Sequence, residues 1–125
     1  MLVDLAVGDA YGAGFEFADP GFVVEHNTLR GYVQNPVYAG LRPGRYTDDT
    51  QMTIAVAEVL VEGGPWTDVR FAEAFVRAFH RDPRQGYAKG FQALLPQLAD
   101  GAALDRKSTR LNSSHMPVSR MPSSA

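Results

Sequence analysis

Apolar side chains recur at helical spacing in several stretches of the chain. The clearest repeat is Met52, Ala55, Val56, Val59 and Leu60, which follows the i, i+3, i+4, i+7, i+8 spacing of one helical face. Comparable repeats predict helices near residues 2–17, 48–62, 68–81 and 88–99. We therefore expect an all-α fold.

The long connection between the first two predicted helices, residues 19–46, has no sustained apolar period. Its Pro20-Gly21, Asn35-Pro36 and Pro43-Gly44 pairs are typical of turns. Phe22-Val23-Val24 is compatible with either a short strand or an irregular connection. A loop of this length in a compact domain is more often functional than idle, and this one leads directly into an acidic segment.

The acidic segment Thr47-Asp48-Asp49-Thr50 stands at the start of the second predicted helix, where Thr47 or Asp48 is the expected N-cap. One interpretation is a capped helix whose acidic first turn complements the helix dipole. The other is a site for a hard cation, because oxygen ligands without His or Cys suit Mg2+ or Ca2+ better than zinc. The residues alone leave both open.

A second acidic group lies near the start of the chain, in Gly8-Asp9-Ala10-Tyr11-Gly12-Ala13-Gly14-Phe15-Glu16. Asp9, Gly12 and Glu16 are spaced three and four residues apart, which would put both carboxylates on one helical face. They could form a solvated acidic face. Alternatively, the apolar neighbours enclose them, and the carboxylates then need a cation, a partner or a shifted pKa.

Composition narrows the class of protein. The 125 residues include no cysteine, which excludes a disulfide scaffold and a thiolate metal site. Residues 1–105 carry 8 Lys/Arg against 14 Asp/Glu, and an acidic body disfavours binding to nucleic acid. No apolar run approaches the roughly 20 residues that span a bilayer, and no signal-peptide pattern is visible. We expect a cytoplasmic protein without nucleic-acid or membrane partners.

The two ends of the chain differ from its body. Apolar residues begin at Leu2 without a capping residue ahead of them, which is the pattern of a helix entered part-way along. From Arg106 onward, serine and proline interrupt any apolar period, and the segment from Lys107 to His115 resembles translated adaptor or vector sequence. We expect residues 1–105 to be part of a folded domain and residues 106–125 to be a disordered tail foreign to it.

The two acidic groups together, in this order, resemble the ADP-ribosylglycohydrolase family, which includes the dinitrogenase-reductase-activating glycohydrolase. The segment from Asp82 to Gly90 is also similar, and the resemblance covers about residues 1–105. It implies an all-α fold that holds two Mg2+ ions, or Mn2+ ions, between its halves. By this resemblance Thr47, Asp48 and Asp49 would be metal ligands, Glu16 the catalytic glutamate near the scissile bond, and Asp9 a supporting residue.

The resemblance implies a metal-dependent hydrolase that removes ADP-ribose from an arginine or serine side chain of a modified protein. An ADP-ribose-containing small molecule is the other substrate that it implies. The family's second ligand set, an Asp-x-Asp-Thr element, is absent from these 125 residues. We therefore expect the N-terminal portion of such an enzyme, inactive by itself. Two alternatives stay open: a non-catalytic binding or crystallin-like structural protein on the same fold, and an unrelated helical domain whose acids are caps and surface.

Overall fold

The computed structural model describes residues 1–104 and residue 106, and within them it contains helices and no strand. The elements in chain order are α1 (Leu2–Gly12), α2 (Pro20–His26), α3 (Asp48–Glu62), α4 (Asp68–Arg81), α5 (Lys89–Leu94) and a 3₁₀ helix (Leu95–Gln97). Residues 101–104 are also helical. The prediction of an all-α fold is confirmed.

Helix α4 is the centre of the core because two of its faces are buried. One face packs on α3 through small side chains, with Ala74 and Ala78 of α4 against Ala55 and Val59 of α3. The other face contributes to a larger cluster with the segment that follows α4. The buried members of this cluster are Ala72, Val76, Phe79, Tyr87, Leu95, Leu98 and Leu104. This packing fixes the 82–88 segment beside the start of α3.

The first predicted helix, residues 2–17, is too long. Helix α1 ends at Gly12, and residues 13–17 form turns. Gly14 is buried in these turns, where an added Cβ would lie only 2.8 Å from the backbone oxygen of Val33. The close approach of the 33–35 loop therefore requires glycine here, and it draws the chain out of the helical path.

Helix α2 replaces the strand or irregular connection that the sequence suggested for Phe22-Val23-Val24. The Asp19 side chain accepts a hydrogen bond from the Gly21 N–H at 2.7 Å, and Pro20 occupies the first helical position. An acidic N-cap followed by proline is a recognised helix start. The β-branched valines follow it inside one short helix.

The last predicted helix, 88–99, is divided at Pro96. Helix α5 ends at Leu94, and the 3₁₀ helix contains the proline. The predictions for residues 106–125 concern residues that, apart from Arg106, lie outside the described part of the chain. None of the helices described here combines the length and apolar character needed to cross a bilayer.

Candidate active site

Asp9 of α1 joins the first helix to the N-terminus of α3. Its Oδ2 accepts hydrogen bonds from the backbone N–H of Thr47 at 2.9 Å and of Thr50 at 3.1 Å. Its two carboxylate oxygens also accept the hydroxyl protons of Thr47 at 2.6 Å and Thr50 at 2.5 Å. One carboxylate therefore satisfies four donors at the positive end of a helix dipole.

Of the two N-cap candidates in the sequence, Thr47 is the N-cap residue of α3, but its own side chain forms no capping hydrogen bond. The Thr47 hydroxyl turns to Asp9 instead, and Asp9 supplies the capping oxygen from a distant part of the chain. Asp48 and Asp49 follow in the first turn of α3. The start of α3 is therefore capped, as one interpretation of the sequence had it, but the capping side chain is that of Asp9. The carboxylates of Asp48 and Asp49 are not used for capping and are available for other contacts.

The segment after α4 supports the same helix end from the other side. The Asp48 N–H donates to the backbone oxygen of Gln85 at 3.1 Å. Gly86 has a φ of +115°, and a Cβ at this position would overlap Oδ1 of Asp48. Only glycine combines this backbone conformation with such close contact. Sequence analysis did not single out Gly86.

Gln51, buried in the first turns of α3, fixes the helix to both α4 and Tyr87. Its amide nitrogen donates to the backbone oxygens of Ala78 at 3.2 Å and Asp82 at 2.7 Å, and its Oε1 accepts the Tyr87 hydroxyl proton at 2.8 Å. All hydrogen-bonding groups of this side chain are therefore used within the protein, which makes Gln51 a positioning residue for the acidic turn.

Glu16 lies in the turns after α1 and not on the predicted helical face. Asn35, which is 2% exposed, holds this turn in place. Its amide nitrogen donates to the backbone oxygens of Ala13 at 2.8 Å and Glu16 at 3.0 Å, while its Oδ1 accepts from the N–H groups of Val37 and Tyr38. In the sequence, Asn35 was interpreted only as part of an Asn-Pro turn, so its role in holding the Glu16 backbone was missed.

A cleft of about 490 Å³ brings together the acidic residues that the sequence singled out. Its polar lining is Asp9, Glu16, Thr47, Asp48 and Asp49. Small residues, Gly8, Gly12, Ala13 and Gly86, form much of the remaining wall. The volume lies within the roughly 300–1,000 Å³ range of small-molecule sites, and we call this space the acidic cleft.

Carboxylates in the acidic cleft disturb one another. Burial raises the pKa of Glu16, and the nearby charges of Asp48, Asp49 and Asp9 raise it further. Burial also raises the pKa of Asp48, with Asp49 and Asp9 adding to the shift against hydrogen bonds that lower it. Among the described residues, no lysine or arginine forms an ion pair with these four carboxylates. The cleft therefore has an excess of negative charge.

The donor set fits a hard divalent cation, because it consists of carboxylate and hydroxyl oxygens and lacks sulfur and imidazole. Within residues 1–104, however, no three acidic or imidazole side chains already stand at the spacing of a common ion. Asp48, Asp49 and the Thr47 hydroxyl could hold an ion from one side of the cleft, and the remaining ligands would be water or groups outside this part of the chain.

Known proteins that are similar to this chain share one family description. The family model described as ADP-ribosylglycohydrolase matches residues 1–122. The chain belongs to the ADP-ribosylglycohydrolase family. No solved structure shows a significant match to it.

Curated members of the ADP-ribosylglycohydrolase family match parts of the chain. The ADP-ribosyl-dinitrogen reductase glycohydrolase of Rhodospirillum rubrum is 34% identical over 74 residues, which are 59% of this chain and 25% of that protein. The ADP-ribosylarginine hydrolase of Serratia proteamaculans is 32% identical over 93 residues, 72% of this chain and 23% of that protein. A putative ADP-ribosyl glycohydrolase of Acanthamoeba polyphaga mimivirus is 30% identical over 86 residues, which are 66% of this chain and 26% of that protein. The chain spans about a quarter of their length.

Proposed function

We propose that this chain contributes the acidic half of the active site of a metal-dependent hydrolase, which cleaves the glycosidic bond between ADP-ribose and a protein side chain. Two relatives carry names that specify ADP-ribosylarginine and ADP-ribosylated dinitrogen reductase. We extend to this chain the substrate class that those names share, an ADP-ribosylated protein. Arginine is the favoured acceptor.

The observation that carries the proposal is the position of α3. Asp9 and the Gln85 backbone hold the start of this helix from two sides, so Thr47, Asp48 and Asp49 lie in one cleft with Glu16. The mutual repulsion of these carboxylates destabilises the folded state unless a cation binds or one of the carboxylates is protonated. Such arrangements are typical of functional sites.

The four residues have distinct roles in this proposal. Asp48 and Asp49, with the Thr47 hydroxyl, would hold Mg2+ or Mn2+ through oxygen atoms. Glu16 would stand beside the scissile bond, where its raised pKa suits a carboxyl that exchanges a proton with water or the leaving group. Asp9 is committed to four donors of α3 and serves as a positioning residue.

When bound, the cations would orient the ribose hydroxyls and a water molecule, which is the template role of a metal site. The chain's own residues define where this happens, because the ligands lie on a helix end that Asp9 and Gln85 keep in place. The sequence has no Asp-x-Asp-Thr element to complete the ligand set. We therefore propose that these 125 residues bind the ion weakly and do not turn over substrate by themselves.

Binding of Mn2+ to the isolated chain, followed by electron paramagnetic resonance, tests the metal assignment. We expect weak, saturable binding that Asp48→Asn and Asp49→Asn each reduce strongly. Asp68→Asn is the matched control, because Asp68 also lies in the first turn of a helix but outside the cleft. Equal binding by all three variants would contradict the assignment.

Turnover is best tested in a chimera. Residues 1–104 would replace the matching segment of the Rhodospirillum rubrum relative, and circular dichroism would verify that the product folds. We expect Mg2+-dependent release of ADP-ribose from an ADP-ribosylated arginine substrate, and its loss in Glu16→Gln and Asp49→Ala versions. A folded, Mn2+-binding chimera without turnover would point to a non-catalytic member of the family and overturn the proposal.

A further inference from the structure

A second polar cavity, of about 290 Å³, adjoins the segments that carry the acidic cleft, and its charge is opposite. Three arginines, Arg42, Arg45 and Arg84, line it together with Tyr46 and Gln85. Tyr46 immediately precedes Thr47, and Gln85 immediately precedes Gly86, so both walls continue into the acidic cleft. In a body that is otherwise acidic, this concentration of guanidinium groups is a distinct feature. We call the cavity the arginine pocket.

Arg84 is held rigidly in this pocket. Its guanidinium carbon lies 3.7 Å from the centroid of the Tyr46 ring, which is a close cation–π contact, and its side chain is only 11% exposed. One guanidinium nitrogen donates to Asp82 and another to the backbone oxygen of Tyr46 at 3.5 Å. Its buried Nε has no acceptor in the described part of the chain. The Arg84 guanidinium is therefore held in place while one of its hydrogen-bond donors still lacks an acceptor in the described residues.

The positive charge of the pocket is only partly compensated. Asp82 serves two of the arginines, through its contact with Arg84 and a 3.5 Å ion pair with Arg45. Arg42 forms no ion pair within residues 1–104. Two guanidinium groups thus share one carboxylate, and the third has no carboxylate partner within residues 1–104. Arginine is the side chain that best matches the geometry of an oxyanion, because its planar fork can donate two parallel hydrogen bonds.

We propose that the arginine pocket binds an oxyanion of the phosphate class, at a site separate from the acidic cleft. The volume is at the lower end of the range for ligand sites, roughly 300–1,000 Å³. It suits a single phosphate or a phosphate-bearing end group better than a whole nucleotide. Free inorganic phosphate and the diphosphate of an ADP-ribose-type ligand share this chemistry.

Isothermal titration with inorganic phosphate tests the pocket directly. The buffer must be free of divalent metal and of other polyvalent anions, so that an ion in the acidic cleft cannot capture the phosphate. We expect saturable binding that the double variant Arg42→Gln, Arg45→Gln weakens roughly ten-fold. Both side chains lie on exposed residues, so the variant should keep the circular dichroism of the wild type.

The matched control is the double variant Arg30→Gln, Arg77→Gln, which removes two charges from exposed residues outside the pocket. It should bind phosphate as the wild type does, apart from a small effect of net charge. The absence of saturable binding, or equal weakening in the two double variants, would overturn the proposal. The metal-free condition separates this result from any failure of the proposed hydrolase function.

Competition by ADP-ribose distinguishes the two sources of the ligand. If the pocket receives the diphosphate of ADP-ribose, then ADP-ribose displaces inorganic phosphate, and its own binding is weakened by the Arg42→Gln, Arg45→Gln variant. If the ligand is free phosphate, ADP-ribose leaves phosphate binding unchanged. Either result supports an oxyanion site in the arginine pocket.

Discussion

A single carboxylate, that of Asp9, decides how the acidic turn of α3 is presented. Its oxygens accept four hydrogen bonds from Thr47 and Thr50. These contacts hold Asp9 in the cleft, where its negative charge adds to the rise in pKa that burial causes at Glu16 and Asp48. Asp9 thus differs from the other carboxylates of the cleft, because its hydrogen bonds to Thr47 and Thr50 give it a structural role.

Replacement of Asp9 by alanine should destabilise the chain more than an ordinary surface change. Four donors at the end of α3 lose their acceptor, and we expect a loss of about 2–3 kcal/mol in the free energy of unfolding. Urea denaturation measures it. Asp4→Ala on the same helix is the control, since Asp4 is exposed and should change stability by less than about 0.5 kcal/mol. Similar losses in the two variants would refute the capping role.

Gly86 allows the backbone to pass against Asp48, and alanine at this position should be costly. The positive φ and the overlap of an added Cβ with the Asp48 carboxylate both oppose the substitution. We expect Gly86→Ala to lower the free energy of unfolding by about 1–3 kcal/mol. Gly90→Ala is the control, because Gly90 lies in α5 with open space around it. That substitution should be neutral or stabilising.

At the scale of elements, the apolar repeats identified α3 and α4 almost to the residue, because these helices bury regular faces against each other. The helix predicted over residues 2–17 was too long, because the end of α1 depends on the contact of Gly14 with Val33, nineteen residues later in the chain. Helix α2 was missed although Asp19-Pro20 is a local helix-start signal. The Pro20-Gly21 pair and two valines outweighed that signal in the sequence.

The acidic residues that line the cleft could be predicted from the sequence, but the residues that hold them in position could not. Thr47, Asp48, Asp49 and Glu16 were singled out from their motifs, and they line one cleft. Asn35, Gln51 and Gly86 were not, because each acts through partners distant in sequence. A buried amide is ambiguous in a sequence, since only the fold shows which backbone groups it must satisfy.

The contact of α3 with α4 depends on small side chains. Ala55 and Ala74 are completely buried where these two helices meet. A larger side chain at position 74 has no space, so Ala74→Leu should reduce the free energy of unfolding by about 1–3 kcal/mol. The same substitution at Ala93, which is exposed on α5, should have little effect. Thermal denaturation of both variants checks the prediction, and an unchanged Ala74→Leu melting temperature would contradict this packing.

The contact of Tyr87 with Gln51 predicts a stability change at alkaline pH. Burial raises the pKa of Tyr87 to about 12, from about 10 in an unfolded chain. The folded state favours the neutral phenol, so this stabilisation is complete below about pH 10 and disappears as the pH rises through about 12. Wild type should therefore lose stability across this window more steeply than Tyr87→Phe.

Urea denaturation across that pH range measures the difference. At neutral pH, Tyr87→Phe should be less stable by about 1 kcal/mol, because the hydrogen bond to Gln51 is lost. The exposed Tyr32 provides the control, and Tyr32→Phe should follow the wild-type pH profile. Parallel pH profiles for wild type and Tyr87→Phe would show that the buried phenol does not titrate as described.

At the scale of the whole molecule, opposite charges are separated on either side of two short segments. Residues 45–48 and 84–86 pass between the acidic cleft and the arginine pocket and contribute to both. Neither group of charges neutralises the other, since the four carboxylates of the cleft form no ion pair with arginine in the described residues. This separation costs stability, and a cleft and a pocket that each bind an ion of opposite sign would explain why it persists.

Asp48 should consequently lower the stability of the metal-free chain while being required for metal binding. Its pKa is raised, so at neutral pH the ionised carboxylate destabilises the folded state relative to an unfolded chain. Asp48→Asn removes that charge and should raise the melting temperature in metal-free buffer. Mg2+ should raise the wild-type melting temperature in a saturable manner, because a ligand that binds only the folded state stabilises it by mass action. The Asp48→Asn variant should not respond.

Differential scanning calorimetry with increasing MgCl₂ measures both effects, and NaCl of equal ionic strength accounts for general screening. Asp68→Asn is the control, because Asp68 complements the dipole of α4 and its loss should slightly lower the melting temperature while the response to Mg2+ is kept. A metal-free Asp48→Asn variant that melts below wild type would show that this carboxylate stabilises the fold. A preserved Mg2+ response in that variant would show that the ion is held elsewhere.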